Sequence, residues 1–221
     1  MTYEKLKNKH PGESCVIFGT GPSFQTFENW DQVEHLIFIG CNFGFVRHYM
    51  EYSVVIDNVS HKSCKNDYDF KRYETLKECD SEYIITQKQT KGFHFEYADH
   101  VVEIEIGEGN AINPASNPYH VINQGKVCVC STSIFGALSL AIWMGMKTIG
   151  LVGFDLYGTQ FMSNSQHCLN PEHNVNRINK VCETFLKHKP KGLNIYNLSK
   201  ESKIDAFLKV DLEEFLDATE C

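Results

Sequence analysis

Seven short apolar runs punctuate the chain, and each is followed by polar or small residues. They are SCVIF (14–18), HLIFIGCN (35–42), YSVVIDN (52–58), EYIITQ (82–87), ADHVVEIEIG (98–107), KTIGLVGFD (147–155) and LNIYNLS (193–199). Runs of four to eight apolar residues closed by Gly, Asn or Asp predict buried strands. The fifth alternates apolar and polar residues from Val101 to Ile106, which predicts a half-exposed or edge strand. Between the runs lie segments with helical character: a short polar helix over 1–12, then PSFQTFENWDQV (22–33), which opens on a proline suited to a first turn. FGFVRHYME (43–51) predicts a short helix, and 60–82 a polar surface helix with loops. STSIFGALSLAIWMGM (131–146) is apolar nearly all round, the mark of a buried helix. NVNRINKVCETFLKH (174–188) is amphipathic, and DAFLKVDLEEFLD (205–217) predicts a terminal helix. Residues 107–126, rich in Gly, Asn and Pro, and residues 156–172 predict long loops and are candidate lids.

Strands alternating with helices predict an α/β fold: a Rossmann-like, doubly wound, mostly parallel sheet flanked by helices, as one domain over 1–221. Ligands of such sheets bind outside the carboxyl ends of the strands. The polar signatures fall there: Gly19-Thr20-Gly21-Pro22-Ser23 after the first strand, Asn42 after the second, Asp57-Asn58 after the third, and Gly153-Phe154-Asp155 after the KTIGLVGFD strand. The glycine turn can bring backbone close to a phosphate at a helix N-terminus, or it can be a plain strand-to-helix turn. It is not the dinucleotide fingerprint, since Phe24 stands where a third glycine belongs, and no Gly-Lys-Ser/Thr follows. Asn42, Asp57 and Asn58 can read a base or a ribose, or serve as local caps. Ser131, Thr132 and Ser133 can cap the buried helix, donate to a phosphate, or both. His173 can act as a general base near neutral pH, with His167 its competitor and His120 available in the 107–126 loop.

Composition narrows the partners. The 221 residues carry a formal net charge of -7, and the longest basic cluster is Lys187-His188-Lys189-Pro190-Lys191. No basic stripe of a general nucleic-acid binder is visible. Nine cysteines lie without a C-x-x-C spacing, several inside apolar runs; this favours packing over metal binding and a reducing, cytoplasmic setting. No apolar run approaches the ~18 residues of a membrane span, and the N-terminal residues lack the apolar stretch of a signal peptide. The composition leaves a homo-oligomer open.

CVIFGTGPSF, GCNFGF, STSIFGALSLAIWMGMKTIGLVGFDLYG and HNVNRINKVCETF together resemble the bacterial family-42 sialyltransferases, in order and spacing, over most of the chain. The opening KLKNKHPGESCVIFGTGPS also resembles the MptE-like Rossmann family, which includes pterin pyrophosphokinases and motility accessory factors. The first resemblance implies an inverting glycosyltransferase with a CMP-linked nucleotide-sugar donor, no cofactor, and a glycan or other hydroxyl acceptor. It implies that Gly19 to Ser23 and Ser131 to Ser133 hold the phosphate and sugar acid. Asn42 and Asn58 contact the donor, with Asp57 beside them. Gly153, Phe154 and Asp155 line the cytidine pocket, Tyr157 bonds the leaving phosphate, and His173 is the base. Cys130 stands where that family has an arginine, and the stretch from Asp155 to His173 is shorter than in it. The second resemblance implies a Mg²⁺-dependent diphosphokinase, with Asp57 and Asp155 as carboxylate ligands. A non-catalytic nucleotide-binding module is the third reading.

Overall fold

The structure is a computed structural model and describes residues 2–56, 67–87, 95, 100–107, 117–129, 132–156 and 171–220. Eight strands form one sheet: β1 (Ser14–Phe18), β2 (Ile37–Cys41), β3 (Tyr52–Val55), β4 (Tyr83–Gln87), β5 (His100–Ile104), β6 (Thr148–Val152), β7 (Asn194–Asn197) and β8 (Leu208–Lys209). Their order is β5-β4-β3-β2-β1-β6-β7-β8, and every neighbouring pair is parallel. The expected Rossmann-like sheet is therefore present and wholly parallel. Chain order runs outward from β1 in one direction and from β6 in the other. The switch point lies between those two strands, where ligands of open α/β sheets bind.

The helices are α1 (Pro22–Gln25), α2 (Trp30–Val33), α3 (Asp67–Lys77), α4 (Pro118–Asn123), α5 (Ser133–Trp143), α6 (Pro171–His188) and α7 (Leu212–Thr219), with 3-10 turns at Tyr3–Leu6 and Gly44–Val46. Period-two alternation sends Cys15 and Ile17 into the larger core, with α5 and α6, while Val16 and Phe18 enter the other face, with α1 and α7. α5 is buried along nearly its whole length against β1, β2 and β3, as its apolar composition predicts. β5 is an outer strand with residues buried in alternation.

Four expectations need correction. The segment 22–33 is two short helices, not one. Phe24, Phe27 and Trp30 all lean on Phe18, with ring centroids 6.1, 5.5 and 4.9 Å away. On one straight helix Phe24 and Trp30 would point about 120° apart, so the chain breaks between them. Residues 205–217 contain β8 before α7. Phe207 and Val210 enter cores on opposite faces of the sheet, an extended pattern that a helix would not give. Leu208 stays 62% exposed at the sheet edge. The 107–126 loop holds α4, started by Asn117, whose side chain accepts from Tyr119 N (2.9 Å). At the chain start only the 3-10 turn forms, and it buries Tyr3 and Leu6.

Two stability outcomes follow. Leu138 is fully buried in α5, so Leu138→Ala should cost about 2–5 kcal/mol in urea unfolding; a loss under about 1 kcal/mol would take α5 out of the core. Asp211 caps α7 through Glu214 N (3.0 Å), and that backbone bond, helped by Lys200, holds its carboxyl below its ordinary value. Its contribution is therefore complete above the usual carboxylate range and is lost as pH falls through the lowered folded value. Asp211→Asn, still an N-cap, should flatten that part of the acid-unfolding profile.

Candidate functional site

The turns after β1 and β6 are locked together at the switch point. Gly19 N donates to Val152 O (2.7 Å) and Gly21 N to Gly153 O (2.9 Å). Ser23 N and Ser23 Oγ donate to the two oxygens of Asp155, at 2.7 and 2.8 Å. Ser23 Oγ in turn accepts from Gly153 N at 2.8 Å. Asp155 is 1% exposed, and these charge-assisted bonds offset part of the cost of burying its carboxylate. The contact leaves no room for a side chain: a Cβ on Gly19 would lie 2.6 Å from Gly153 O, and one on Gly21 2.5 Å from Asp155 Oδ2. Gly153 adds a positive φ of 76°, which glycine adopts without strain.

This arrangement spends the polar groups that the sequence offered to a ligand. Phe154 O accepts from Ser202 Oγ (2.8 Å) and Asp155 O from Lys203 N (2.9 Å). The Phe154 ring packs edge-on against Phe135, 5.9 Å away. In the Gly19–Ser23 turn, Pro22 has no N–H. Thr20 is the one residue of the turn whose N–H and hydroxyl have no partner among the described residues. The amino end of α1 is occupied by the chain's own carboxylate.

The unspent groups lie one strand over. Asn42 follows β2 in the left-handed region (φ 51°), which asparagine tolerates better than most residues. Its Nδ2 donates to Ser133 Oγ at 3.2 Å, tying the end of β2 to the first turn of α5. Its Oδ1 is buried without a partner among the described residues. Thr132 is the N-cap of α5, yet its side chain makes no capping bond, and its Oγ1 is likewise buried and unpaired. The amino end of α5 thus presents open N–H groups and a positive dipole end beside two unsatisfied oxygens. Buried polar groups are usually paired; six such atoms of the described residues are not, and these two oxygens are the ones that stand beside an open helix end, which makes them the candidate place for a ligand. A groove of about 330 Å³ opens on the other face of the sheet, between Ser23, Phe27, Val152, Leu198 and Lys200. None of these carries a buried unpaired polar atom, so the cluster at α5 is the stronger site.

Thr20, Asn42, Thr132 and Ser133 stand at the carboxyl edge of the sheet, and Gly153, Phe154 and Asp155 form its framework. Asp57, Asn58, Ser131 and Tyr157 lie outside the described residues, as do Cys130 and His167. His173 falls in the first turn of α6, and its side chain is outside the described set. Among the described residues no group of three or more His, Cys, Asp and Glu could hold a metal ion. The sequence holds one Asp-x-Asp string beside this set, Asp67-Tyr68-Asp69, and it begins α3. No helix among the described residues is long and apolar enough to cross a membrane. The buried cysteines 15, 41, 79, 128 and 182 are free thiols, and desolvation raises the pKa of 15, 41, 79 and 182.

The fold is Rossmann-like α/β, and the candidate site lies at the carboxyl edge of its sheet, beside the switch point. Comparisons sharpen the shape. No family model matches the sequence, and no curated protein matches it by sequence. Among solved structures, the Maf glycosyltransferase of Magnetospirillum magneticum AMB-1 is similar at TM-score 0.58 and 11% identity, over 97% of this chain and 38% of that one. This chain therefore spans well under half the length of that enzyme. The Campylobacter jejuni sialyltransferase CstII is similar in two complexes. With cytidine-5'-monophosphate the TM-score is 0.52 at 15% identity, over 90% of this chain and 85% of that one. With CMP-3FNeuAc it is 0.50 at 17%, over 90% and 86%. At these identities the likeness is one of fold.

Gly19→Ala and Gly153→Ala should each lower the melting temperature by several degrees, since the added Cβ would meet backbone at both. A Gly153→Ala protein that melts with the wild type would break the case for the locked turns.

Proposed function

We propose that this chain is a glycosyltransferase that moves a sugar from a nucleotide-sugar donor to an acceptor hydroxyl. The observation that carries the reading is the pair of buried, unpaired oxygens, Asn42 Oδ1 and Thr132 Oγ1, at the open amino end of α5. In this reading the donor phosphate lies at that helix end. The Thr132 and Ser133 hydroxyls and the Thr20 N–H donate to it, and Asn42 Oδ1 accepts from a hydroxyl or amino group of the nucleoside. Ser131 and Asn58 extend the same set, with Asp57 next to Asn58. Gly19, Gly21, Ser23, Gly153, Phe154 and Asp155 act as the rigid wall that holds Thr20 in place, with Pro22 starting α1. The similarity in fold to glycosyltransferases, one of them crystallised with CMP, supports a CMP-linked donor. Cys130 in place of the family's arginine favours a donor that does not rely on a cation at that position, whether its sugar is a nonulosonate or another.

His173 then takes the proton of the acceptor hydroxyl. The acceptor oxygen attacks the anomeric carbon, the bond from that carbon to the phosphate oxygen breaks, and the nucleotide leaves with the electron pair. The configuration inverts. Tyr157 donates to the departing phosphate, and the α5 donors stabilise its charge, the larger source of rate in such a step. No metal or cofactor enters this scheme. The Mg²⁺-dependent diphosphokinase reading is weaker, because one of its two carboxylates, Asp155, already has both oxygens engaged by Ser23.

A thermal-shift panel of CMP, CDP, UDP, GDP, ADP and ATP, with and without Mg²⁺, tests the reading. A CMP-selective shift without metal is expected, and Asn42→Ala with Thr132→Ala should remove it. A shift confined to ATP with Mg²⁺ would overturn the transferase in favour of the kinase. With a donor identified, His173→Ala should lower turnover by about 10²–10⁴-fold while CMP still binds; full turnover in that variant would remove His173 from the chemistry.

A further inference from the structure

The Asn179 side chain ties α6 to the loop beside the site. Asn179 Oδ1 accepts from Asp205 N (3.0 Å) and Ala206 N (3.4 Å), and its Nδ2 donates to Lys203 O (3.0 Å). These partners belong to the loop that follows β7 at the carboxyl edge of the sheet. The same loop is bound to the end of β6. Lys203 N donates to Asp155 O, and Ser202 Oγ donates to Phe154 O while accepting from Ile204 N (3.0 Å). Lys209 closes the loop from below, with Nζ donating to Ser202 O (2.5 Å) and to Asp205 Oδ1 (2.6 Å).

The consequence is geometric. Asn179 lies level with the carboxyl edge, so the part of α6 before it stands beyond the sheet. His173 is six residues earlier, about 9 Å along the helix axis. The order of bonds is unbroken: the glycine turn to Asp155, Asp155 to Lys203, Lys203 to Asn179, and Asn179 to the helix that bears His173. Ile178, beside Asn179, is buried, which fixes the helix sideways. Apolar packing alone resists sliding along an axis less well than three directed hydrogen bonds do.

We propose that Asn179 is a positioning residue: it sets the height of the first two turns of α6 over the donor cluster, and so the reach of His173. The proposal rests on the glycosyltransferase reading. It predicts a split in kinetic effects. Loosening Asn179 misplaces the base without touching the groups that hold the nucleotide. Asn179→Ala should lower kcat by about 10- to 100-fold, the scale of a misplacement of about 1 Å, while donor KM and CMP affinity stay within about twofold of wild type. Ser202→Ala enters the same frame from the β6 side and should act in the same direction, with the double variant no worse than the more impaired single one. Ser81→Ala serves as the stability control. It breaks the buried Ser53–Ser81 hydroxyl pair (2.6 Å) on the β3–β4 side of the sheet and should leave kcat unchanged.

Hydrogen exchange on the same proteins supplies a readout that needs no substrate. Asn179→Ala should speed exchange over 171–178 and leave 133–143 as protected as in wild type. Exchange unchanged over 171–178 would overturn the proposal, as would a kcat no lower than that of Ser81→Ala, or CMP affinity falling in step with kcat. A wild-type protein that transfers no sugar would defeat the transferase reading instead. The exchange data would then still decide whether Asn179 holds α6 in place.

Discussion

The buried carboxylate of Asp155, gripped by the amide and hydroxyl of Ser23, is the contact on which the site depends. The two residues are 132 positions apart, and they join the only adjacent strands from which the chain winds outward in both directions. A carboxylate that is 1% exposed would be costly without partners. Two charge-assisted bonds, together with the dipole of the α1 turn, make it tolerable there. Once it is in place, Gly19, Gly21 and Gly153 have to be glycines, because backbone meets backbone above it. The turn that presents Thr20 is rigid for that reason, not through any property of Thr20 itself.

The same contact decides where an anion can bind. α1 and α5 both begin at the carboxyl edge next to the switch point. α1 follows the glycine turn and looks like the natural phosphate cradle, yet its amino end is already neutralised by Asp155. α5 begins with a run of hydroxyls and looks merely capped, yet its N-cap threonine makes no cap. An electrostatic site belongs to the helix end whose donors are unspent, and that is α5. Asn42 is held in its left-handed conformation by the bond to Ser133 and by its own N–H donating to Val54 O (3.0 Å). It therefore carries the preference from β1 across to β2.

Much of the sheet was legible because buried parallel strands leave a plain mark: short apolar runs ended by glycine or a small polar residue. All seven such runs became strands, and the apolar stretch over 131–146 became the buried α5. What escaped has physical reasons. The break between α1 and α2 is imposed by Phe18, a residue on another element that gathers three aromatic rings, and helical spacing within 22–33 carries no trace of it. β8 is two residues long, below the length at which period two can be recognised. The role of Asp155 was hidden because a polar residue after a strand looks alike whether it faces a ligand or a distant serine. One sequence without long-range pairing cannot tell these apart. Asn179 was invisible for the same cause: an asparagine inside an amphipathic helix reads as solvated surface, and only the folded loop over 203–206 reveals three bonds to it.

On the proposed reading, two anchors at one edge divide the labour between holding and reacting. The donor cluster is fixed to β2 and α5 through Asn42 and Ser133, whereas α6 is fixed to β6 and β7 through Asn179 and the loop behind it. Among the described residues no hydrogen bond joins the two sets directly. A disturbance on the α6 side can therefore move the helix while Asn42, Thr132 and Ser133 keep their geometry. A disturbance of the Ser23–Asp155 pair reaches both sides at once, since the glycine turn and Lys203 lean on the same residue. On the proposed reading, binding and turnover are separable as far out as Asn179 and inseparable at Asp155.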